Sequence, residues 1–240
     1  MRINHNIAAL NTHRQLGAAN QGQQASMEKL SSGLRINKAG DDAAGLSISE
    51  KMRGQIRGLE QASKNSQDGI SLIQTAEGAL NEVHSILQRQ RELIVQGGNG
   101  GTLETEDLQA IKDEIASLNS ELDGIAERSE FNGKKLLDGN FASDFQIGAN
   151  EGQTLNIAIT QAVDSTNLGV SALAPDGTTG QFDTDIGLVD TAINNISAQR
   201  SKLGATQNRL EFTINNLENS AENLTAAESR IRDVDYALAA

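Results

Sequence analysis

The stretch VDTAINNISAQRSKLGATQNRLEFTINNLENSAENLTAAESRI, residues 189–231, decides the predicted fold because it contains no proline and a single glycine. Apolar residues recur in it at alternating spacings of four and three. A heptad pattern of this length is typical of a coiled-coil helix, since a narrow apolar seam stays covered only by a partner helix that supercoils with it. A helix in a compact globular bundle is the alternative. The seam positions are Val189, Ile193, Ile196, Arg200, Leu203, Gln207, Leu210, Ile214, Leu217, Ala221, Leu224, Glu228 and Ile231.

Two further helices are predicted upstream, on either side of a glycine-rich break. The first begins at Ala43, where Asp41 or Asp42 can cap the helix N-terminus. Its apolar pattern weakens around Gly69, where we expect a kink or a local weakening. The glycines of residues 96–102 end this helix. The next helix is expected to fold back antiparallel on it.

Residues 131–185 lose the helical period and predict a small β region. The segment FQIGANEGQTLNIAI alternates apolar and polar residues around a glycine-containing turn, which predicts strands near 144–148 and 154–159. Residues 160–185 are predicted to be an exposed, variable loop, and the organising helix is expected to begin near Asp185. The predicted fold class is mainly α: a long antiparallel coiled-coil or helical-bundle rod with a small β-hairpin region.

The first 33 residues carry apolar side chains at coiled-coil spacing at both ends, but the stretch between them is small and polar. An isolated helix of this kind is marginal in water. We therefore expect residues 1–33 to order only when packed against a partner.

Composition and charge exclude several classes of function. The net charge of −12 argues against a nucleic-acid partner, which needs a basic face. The chain has no cysteine, so neither a disulfide framework nor a cysteine metal site is available. The N-terminus lacks the apolar run of a signal peptide and no long apolar span occurs, so we expect no cleaved signal and no membrane insertion. Basic residues outnumber acidic ones in residues 1–58, which suits either head-to-tail contact between copies or an ordinary solvated surface.

No catalytic, cofactor or metal site is predicted. The three histidines are isolated, and no metalloprotease motif, paired-carboxylate site or nucleophile constellation occurs. The glycines near 97–101 lack the Lys-Ser/Thr ending of a phosphate loop. Asp41 and Asp42 fit helix capping better than metal binding. We therefore expect no enzyme activity and no cofactor.

Four blocks of the sequence resemble bacterial flagellin. In chain order they are MRINHNIAALNT, KLSSGLRINKAGDDAAGLSISEKMRGQIRGL, SKNSQDGISLIQTAEGALNEVHSILQRQRELIVQ and QRSKLGATQNRLEFTINNLENSAENLTAAESRIRDVD. They cover both ends of the chain and most of its length, which makes the resemblance far more specific than a short motif.

The resemblance implies a structural subunit that polymerises into the extracellular flagellar filament used for motility. Such subunits are exported unfolded through the flagellum's own channel and assemble at the tip under a cap protein. The implied partners are other copies of the chain, the cap and hook-junction proteins, the export apparatus with its flagellin chaperone, and a Toll-like innate immune receptor.

The resemblance also implies a division of the chain into segments. Flagellins continue beyond the Arg-Asp-Val-Asp motif with a further apolar helix, whereas this chain ends at Ala240. We therefore expect that this core helix and the chaperone site on it are missing, and that no large outer domain is present. The expected segments are a filament-core helix and linker (1–40), two helices of a spoke domain (41–131), the hairpin and variable loop (132–185), the long spoke helix (186–235) and the start of a truncated core segment (236–240).

A contact surface is implied by the match of LQRQRELIVQ to the family's receptor-binding motif. The spacing of Arg89, Leu93 and Gln96 places them on one helix face, where Leu93 is expected to be exposed beside a guanidinium and an amide. An arginine next to an apolar anchor is typical of interface hot spots. Contact between filament subunits alone is the alternative, although the family implies that one surface does both. The predicted contact residues are Gln88, Arg89, Leu93, Gln96, Ile111 and Glu114.

Three other functions remain open alongside the filament subunit. A hook–filament junction protein of the same export family shares the terminal helices, although the GDDAAGL and QNRL blocks favour flagellin proper. An enzyme on a helical scaffold would need a site that the sequence does not contain. A coiled-coil adaptor would dimerise reversibly through residues 189–231 without forming fibres.

Overall fold

The computed structural model describes residues 6–235, and within that range the chain forms four helices and four short strands. The predicted mainly α class is confirmed. The expected segment 236–240 and the start of the segment 1–40 lie outside the described residues. The elements are α1 (Ile7–Ser32), α2 (Ala43–Gly97), α3 (Thr105–Arg128), β1 (Glu130–Phe131), β2 (Lys134–Lys135), β3 (Phe141–Gln146), β4 (Thr154–Ile159) and α4 (Thr179–Arg232).

The chain divides into two compact units, one formed by Met1–Glu60 with Glu218–Ala240 and the other by Gln61–Leu217. In the second unit the helices pack antiparallel. Arg91 pairs with Asp190 at 2.8 Å, and Glu77, earlier in α2, pairs with Arg200, later in α4. The apolar side chains between these helices form the core on which the contact surface rests.

The organising helix keeps only half of its predicted seam in the second unit. Ile193, Arg200, Gln207 and Ile214 are half-buried, whereas Ala192 and Gln199, which the seam did not include, are buried. The predicted seam positions that are buried recur at intervals of seven residues within the second unit, as a heptad pattern requires. The helix begins at Thr179, six residues before the predicted start near Asp185, because the Thr178 hydroxyl accepts a 3.4 Å hydrogen bond from the Gln181 N–H and caps the first turn. The seven-residue series is Val189, Ile196, Leu203, Leu210 and Leu217.

Helix α2 starts at Ala43 as predicted, because Asp42 Oδ1 accepts a 2.9 Å hydrogen bond from the Gly45 N–H. No break occurs at Gly69, where we expected a kink or a weakening. A Cβ at this position would lie only 3.3 Å from Leu210 Cδ1 and 3.5 Å from Ile157 Cδ1. The glycine therefore lets the β3–β4 hairpin and α4 approach α2 closely.

The β region contains two small antiparallel hairpins. Strand β4 has the predicted bounds, whereas β3 begins at Phe141, three residues early, because Phe141 pairs with Ile159 at the far end of the ladder. A second hairpin, β1–β2, turns at Asn132 and Gly133, whose φ angles of 50° and 74° are those of a tight primed turn. The sequence pattern predicts strands only near 144–148 and 154–159, so this hairpin was not predicted.

The segment between β4 and α4 is not the exposed loop that the sequence predicts. Val163 and Val170 are fully buried, and they pack in the same core as the helices. Asp123 on α3 accepts hydrogen bonds from the Ser165 backbone N–H at 2.8 Å and from its hydroxyl at 3.2 Å. Apolar side chains and this carboxylate hold the segment against α3, despite its glycines and its proline.

In the first unit, α1 has no buried residue, and Ile7, Leu10 and Met27 are each more than 60% exposed. The connection after α1 is fixed to the end of α4. The Arg35 guanidinium donates to the Ile231 carbonyl at 2.6 Å through Nη2, and Leu34 forms a β-bridge with Asp233. That residues 1–33 order only against a partner stays a prediction.

Among residues 6–235, no helix is long and apolar enough to cross a membrane. The same residues contain no group of three or more His, Cys, Asp or Glu side chains arranged to hold a metal ion.

Candidate functional site

The predicted contact residues lie on the last turns of α2 and the middle of α3, which the loop at 98–104 turns back on α2. Arg89 stands at the centre. Its Nε and Nη2 both lie 2.9 Å from Glu114 Oε1 on α3, and its Nη1 lies 3.0 Å from Glu92 Oε2 one turn along α2. The structure therefore brings Arg89 and Glu114 together, as the family motif implied.

Glu92 was not among the predicted contact residues. Helical spacing could have identified it, because Glu92 lies three residues after Arg89 and side chains at that spacing meet on a helix surface. Hydrogen bonds from Arg89 to Glu114 and then to Glu92 raise the pKa of the guanidinium above its ordinary value. Arg89 is therefore a cation that hydrogen-bonds to two glutamate side chains, one on each helix.

Gln88 and Gln96 are both exposed and extend this surface on α2. Gln88 Nε2 lies 3.2 Å from the Nε2 atom of His84. The surface thus combines amides with the Arg89 ion pairs, a set of groups that can donate and accept hydrogen bonds across a protein interface.

The prediction that Leu93 is an exposed anchor is wrong. Leu93 is 1% exposed, and Ile111, its predicted neighbour on α3, is 5% exposed. Leu93 lies four residues after Arg89 but only three after the fully buried Gln90, so it borders the core face of α2 as closely as the outer face. The core fills that side of the helix and covers the leucine.

The exposed apolar side chain in this part of α2 is Val95, which is 50% exposed. It lies seven residues after Gln88 and three after Glu92, which places all three on one helix face. From the sequence, Leu93 rather than Val95 was predicted to be the exposed apolar side chain, because spacing from Arg89 does not show which side of α2 faces the core.

A buried amide chain fixes the packing beneath the surface. Gln90 Nε2 donates to Asn119 Oδ1 at 2.8 Å, and Asn119 Nδ2 donates to the Val170 carbonyl at 3.2 Å. These two hydrogen bonds link α2, α3 and the segment before α4, and they form only if the three elements keep their register. It holds Arg89 and Glu114 on helices whose separation is set by the core.

Family models match both parts of the chain. The bacterial flagellin N-terminal helical region matches residues 3–142, and the bacterial flagellin C-terminal helical region matches residues 186–240.

Two curated relatives match along nearly the whole chain. The flagellin of Bacillus subtilis (strain 168) is 58% identical, with 99% of this chain and 88% of that protein covered. The flagellin of Halalkalibacterium halodurans is 56% identical, with 99% and 87% covered.

Solved structures are also similar. The crystal structure of Bacillus cereus flagellin aligns with a TM-score of 0.56 at 32% identity, covering 69% of this chain and 94% of that one. A putative flagellar hook-associated protein from Vibrio parahaemolyticus aligns with a TM-score of 0.68 at 13% identity, covering 80% and 100%, a likeness of fold alone.

Proposed function

Since this chain belongs to the bacterial flagellin family, we propose that the exposed surface formed by Gln88, Arg89, Gln96 and Glu114 binds a Toll-like innate immune receptor. The members of this family are structural filament proteins and not enzymes. The chain is a subunit that polymerises with copies of itself into the flagellar filament. The hook–filament junction alternative is not favoured, since the relatives that match over nearly the whole chain are flagellins.

The observation that carries the receptor proposal is the Arg89–Glu114 ion pair on an exposed face of two helices. Both side chains are about half exposed, at 49% and 43%, so the pair is open to a partner while each group holds the other in place. Such pre-positioning lowers the side-chain entropy that binding costs. Arginine is also among the residues enriched at the energetic centres of protein interfaces.

We assign the six predicted contact residues different parts in this proposal. Gln88, Arg89, Gln96 and Glu114 are exposed and serve as direct contacts. Leu93 and Ile111 are buried and support the two helices from below. Val95 takes the part of the exposed apolar anchor first given to Leu93.

Further proposals follow from the family alone. We propose that the chain is secreted and lies outside the cell, and that its other partners are the cap and hook-junction proteins and the export apparatus with its chaperone. We also keep the segments 41–131 and 186–235 as the spoke of the subunit.

A reporter-cell assay tests receptor binding. The full chain and its Arg89→Ala variant are titrated on cells that carry the flagellin-sensing receptor. We expect about a tenfold loss of signalling potency, which corresponds to about 1.4 kcal/mol. Arg91→Ala is the matched control: it also removes an arginine of α2, 47% exposed and ion-paired to α4, but on a different face. Equal potency of the Arg89 variant and the parent would refute the assignment.

Seeded filament growth tests the alternative, which is that this surface serves only contact between subunits and does not bind the receptor. Each variant is added to filament seeds and elongation is followed by negative-stain electron microscopy. If Arg89→Ala slows elongation and leaves signalling unchanged, the surface is a subunit contact. If both fall, one surface does both.

A further inference from the structure

Asparagine followed directly by glycine occurs twice in the chain, at Asn99-Gly100 and at Asn132-Gly133. In this dipeptide the backbone nitrogen of the glycine can attack the side-chain amide carbon of the asparagine, because glycine has no Cβ to obstruct the approach. Both asparagines are exposed, and both lie in the second unit. Their surroundings differ, however, so the two dipeptides are expected to react at different rates.

Asn132 and Gly133 form the turn of the β1–β2 hairpin, and little restrains the asparagine there. Its φ angle of 50° makes it the only non-glycine residue with a positive φ among residues 6–235. An L residue in this region is less stable than in the extended region, which favours movement of the Asn132 backbone out of the turn conformation. Within the described part of the chain its side-chain amide has no hydrogen-bond partner. The space around Gly133 is open, since no heavy atom beyond the adjacent residues lies within 4 Å of the position of a Cβ.

Asn99, in the loop after α2, is held in place by its neighbours. Its Nδ2 donates a 2.8 Å hydrogen bond to Thr102 Oγ1, and its carbonyl accepts one from the Thr102 N–H at 3.1 Å. Gly100 packs closely against a distant part of the chain, because a Cβ on it would collide with the Gly177 carbonyl oxygen. These contacts oppose the rotations that would bring the Gly100 nitrogen onto the amide carbon of Asn99.

We propose that Asn132 is a site of spontaneous deamidation through a succinimide formed with Gly133. The Gly133 N–H gives its proton to hydroxide, and the nitrogen forms a bond to Asn132 Cγ. The bond from Cγ to Nδ2 breaks, and the leaving nitrogen takes a proton from water, which regenerates hydroxide and releases ammonia. Water then adds to one of the two carbonyl carbons of the five-membered ring and opens it, which gives aspartate or isoaspartate.

The modification changes both the charge and the backbone of the hairpin. Either product adds a carboxylate to a turn that is followed by the exposed Lys134 and Lys135. Isoaspartate also inserts a methylene group into the main chain, so the two-residue turn no longer fits the pairing of Phe131 with Lys134. Phe131 packs against the core of the second unit. Isoaspartate at this position should therefore loosen the hairpin from the helices.

Peptide mapping by mass spectrometry tests the proposal on the unmodified chain. The folded protein is kept at mildly alkaline pH, and the replacement of the amide NH2 by OH is followed at both asparagines, with isoaspartate detected by an isoaspartyl methyltransferase. We expect Asn132 to react at least about fivefold faster than Asn99, since one hydrogen bond of ordinary net strength corresponds to about that factor. In urea, where the fold is lost, the two rates should converge. Equal rates in the folded chain, or an Asn132 that reacts only in urea, would overturn the proposal.

Two variants test the reason for the selectivity. Thr102→Val removes the acceptor of the Asn99 amide and should raise the rate at Asn99 towards that at Asn132. Asn132→Gln should abolish the reaction at position 132 and leave Asn99 unchanged, because glutamine would have to close a six-membered ring, which forms far more slowly. If Asn99 stays as slow in the Thr102→Val variant as in the parent, the hydrogen bond does not set the selectivity and the contrast that carries the proposal fails.

Discussion

Arg89 and Glu114 are 25 positions apart in the sequence, yet Arg89 Nε donates a 2.9 Å hydrogen bond to Glu114 Oε1. The ion pair joins two antiparallel helices on their exposed side. Because solvent screens half-exposed charges, the pair contributes little to folding, and both groups stay open to the proposed receptor contact.

The first prediction separates the contribution of Arg89 to folding stability from its proposed contribution to receptor binding. Arg89→Ala should lower the free energy of unfolding by less than about 1 kcal/mol, since exposed ion pairs contribute between zero and that amount. Receptor signalling should nevertheless fall about tenfold. Urea unfolding and the reporter assay on the same preparations measure both quantities, with Arg91→Ala beside them. A loss of stability well above 1 kcal/mol would show that Arg89 has a structural role and would undermine the binding interpretation.

The second prediction concerns the leucine of the motif. Leu93→Ala removes a side chain that is 1% exposed, so it should cost about 2–5 kcal/mol of stability through lost burial and a new cavity. Val95→Ala, at a position 50% exposed, should change stability by less than about 0.5 kcal/mol. Thermal unfolding of the two variants decides this. If Leu93→Ala proves as stable as Val95→Ala, Leu93 is exposed in solution and the original anchor is restored.

The helical part of this fold could be predicted because its buried apolar residues recur at a fixed spacing along the sequence. Residues at seven-residue intervals from Val189 to Leu217 are buried as the heptad requires, and Asp42 caps α2 as its side chain predicts. The segment from 160 to 178 could not be predicted in the same way. Its burial depends on contacts from Asp123 and Asn119, which are distant in sequence and follow no period.

The contact surface was predicted in part for a similar reason. A motif and a helical spacing identify Arg89 and Glu114, but which side of α2 meets the core depends on where α3 and α4 pack. Leu93 lies at that boundary, and only the packed structure places it inside. Gly69 shows the same limit: its intrinsic preference suggests weakness, while the close packing of Leu210, 3.3 Å from where a Cβ would lie, favours a residue without a side chain.

The third prediction is a pH dependence that originates at Asp185 on α4. This carboxyl is fully buried, and burial raises its pKa above the ordinary 3.8, although hydrogen bonds from Gln181 and from the Ala174 N–H oppose the shift. The nearby charges are Asp176, which adds to the increase, and Lys112, which opposes it. A carboxyl with a raised pKa destabilises the fold when ionised, so its cost is absent below pH 3.8 and complete above the raised pKa.

Asp185→Asn should therefore gain stability relative to the parent as the pH rises from about 3 to about 7, because the variant carries no charge to bury. Chemical denaturation at a series of pH values measures the difference. Asp190→Asn, whose carboxylate is 48% exposed and paired with Arg91, should show no such rise. A stability difference for Asp185→Asn that is flat across this range would contradict the buried-charge interpretation.

The fourth prediction compares two glycines of α2. Gly78 has nothing within 4 Å of the position that a Cβ would occupy, so Gly78→Ala should stabilise the chain by about 1 kcal/mol through helix propensity alone. At Gly69 the same propensity gain is opposed by Leu210 Cδ1, 3.3 Å from the new atom, and by the hairpin side chains of Ile157 and Phe145. Gly69→Ala should therefore gain less than Gly78→Ala or lose stability, and the bulkier Gly69→Leu should separate the hairpin from α2. Urea unfolding gives the first comparison, and amide exchange in strands β3 and β4 gives the second. Equal gains at the two positions would show that the hairpin does not pack tightly on α2 in solution.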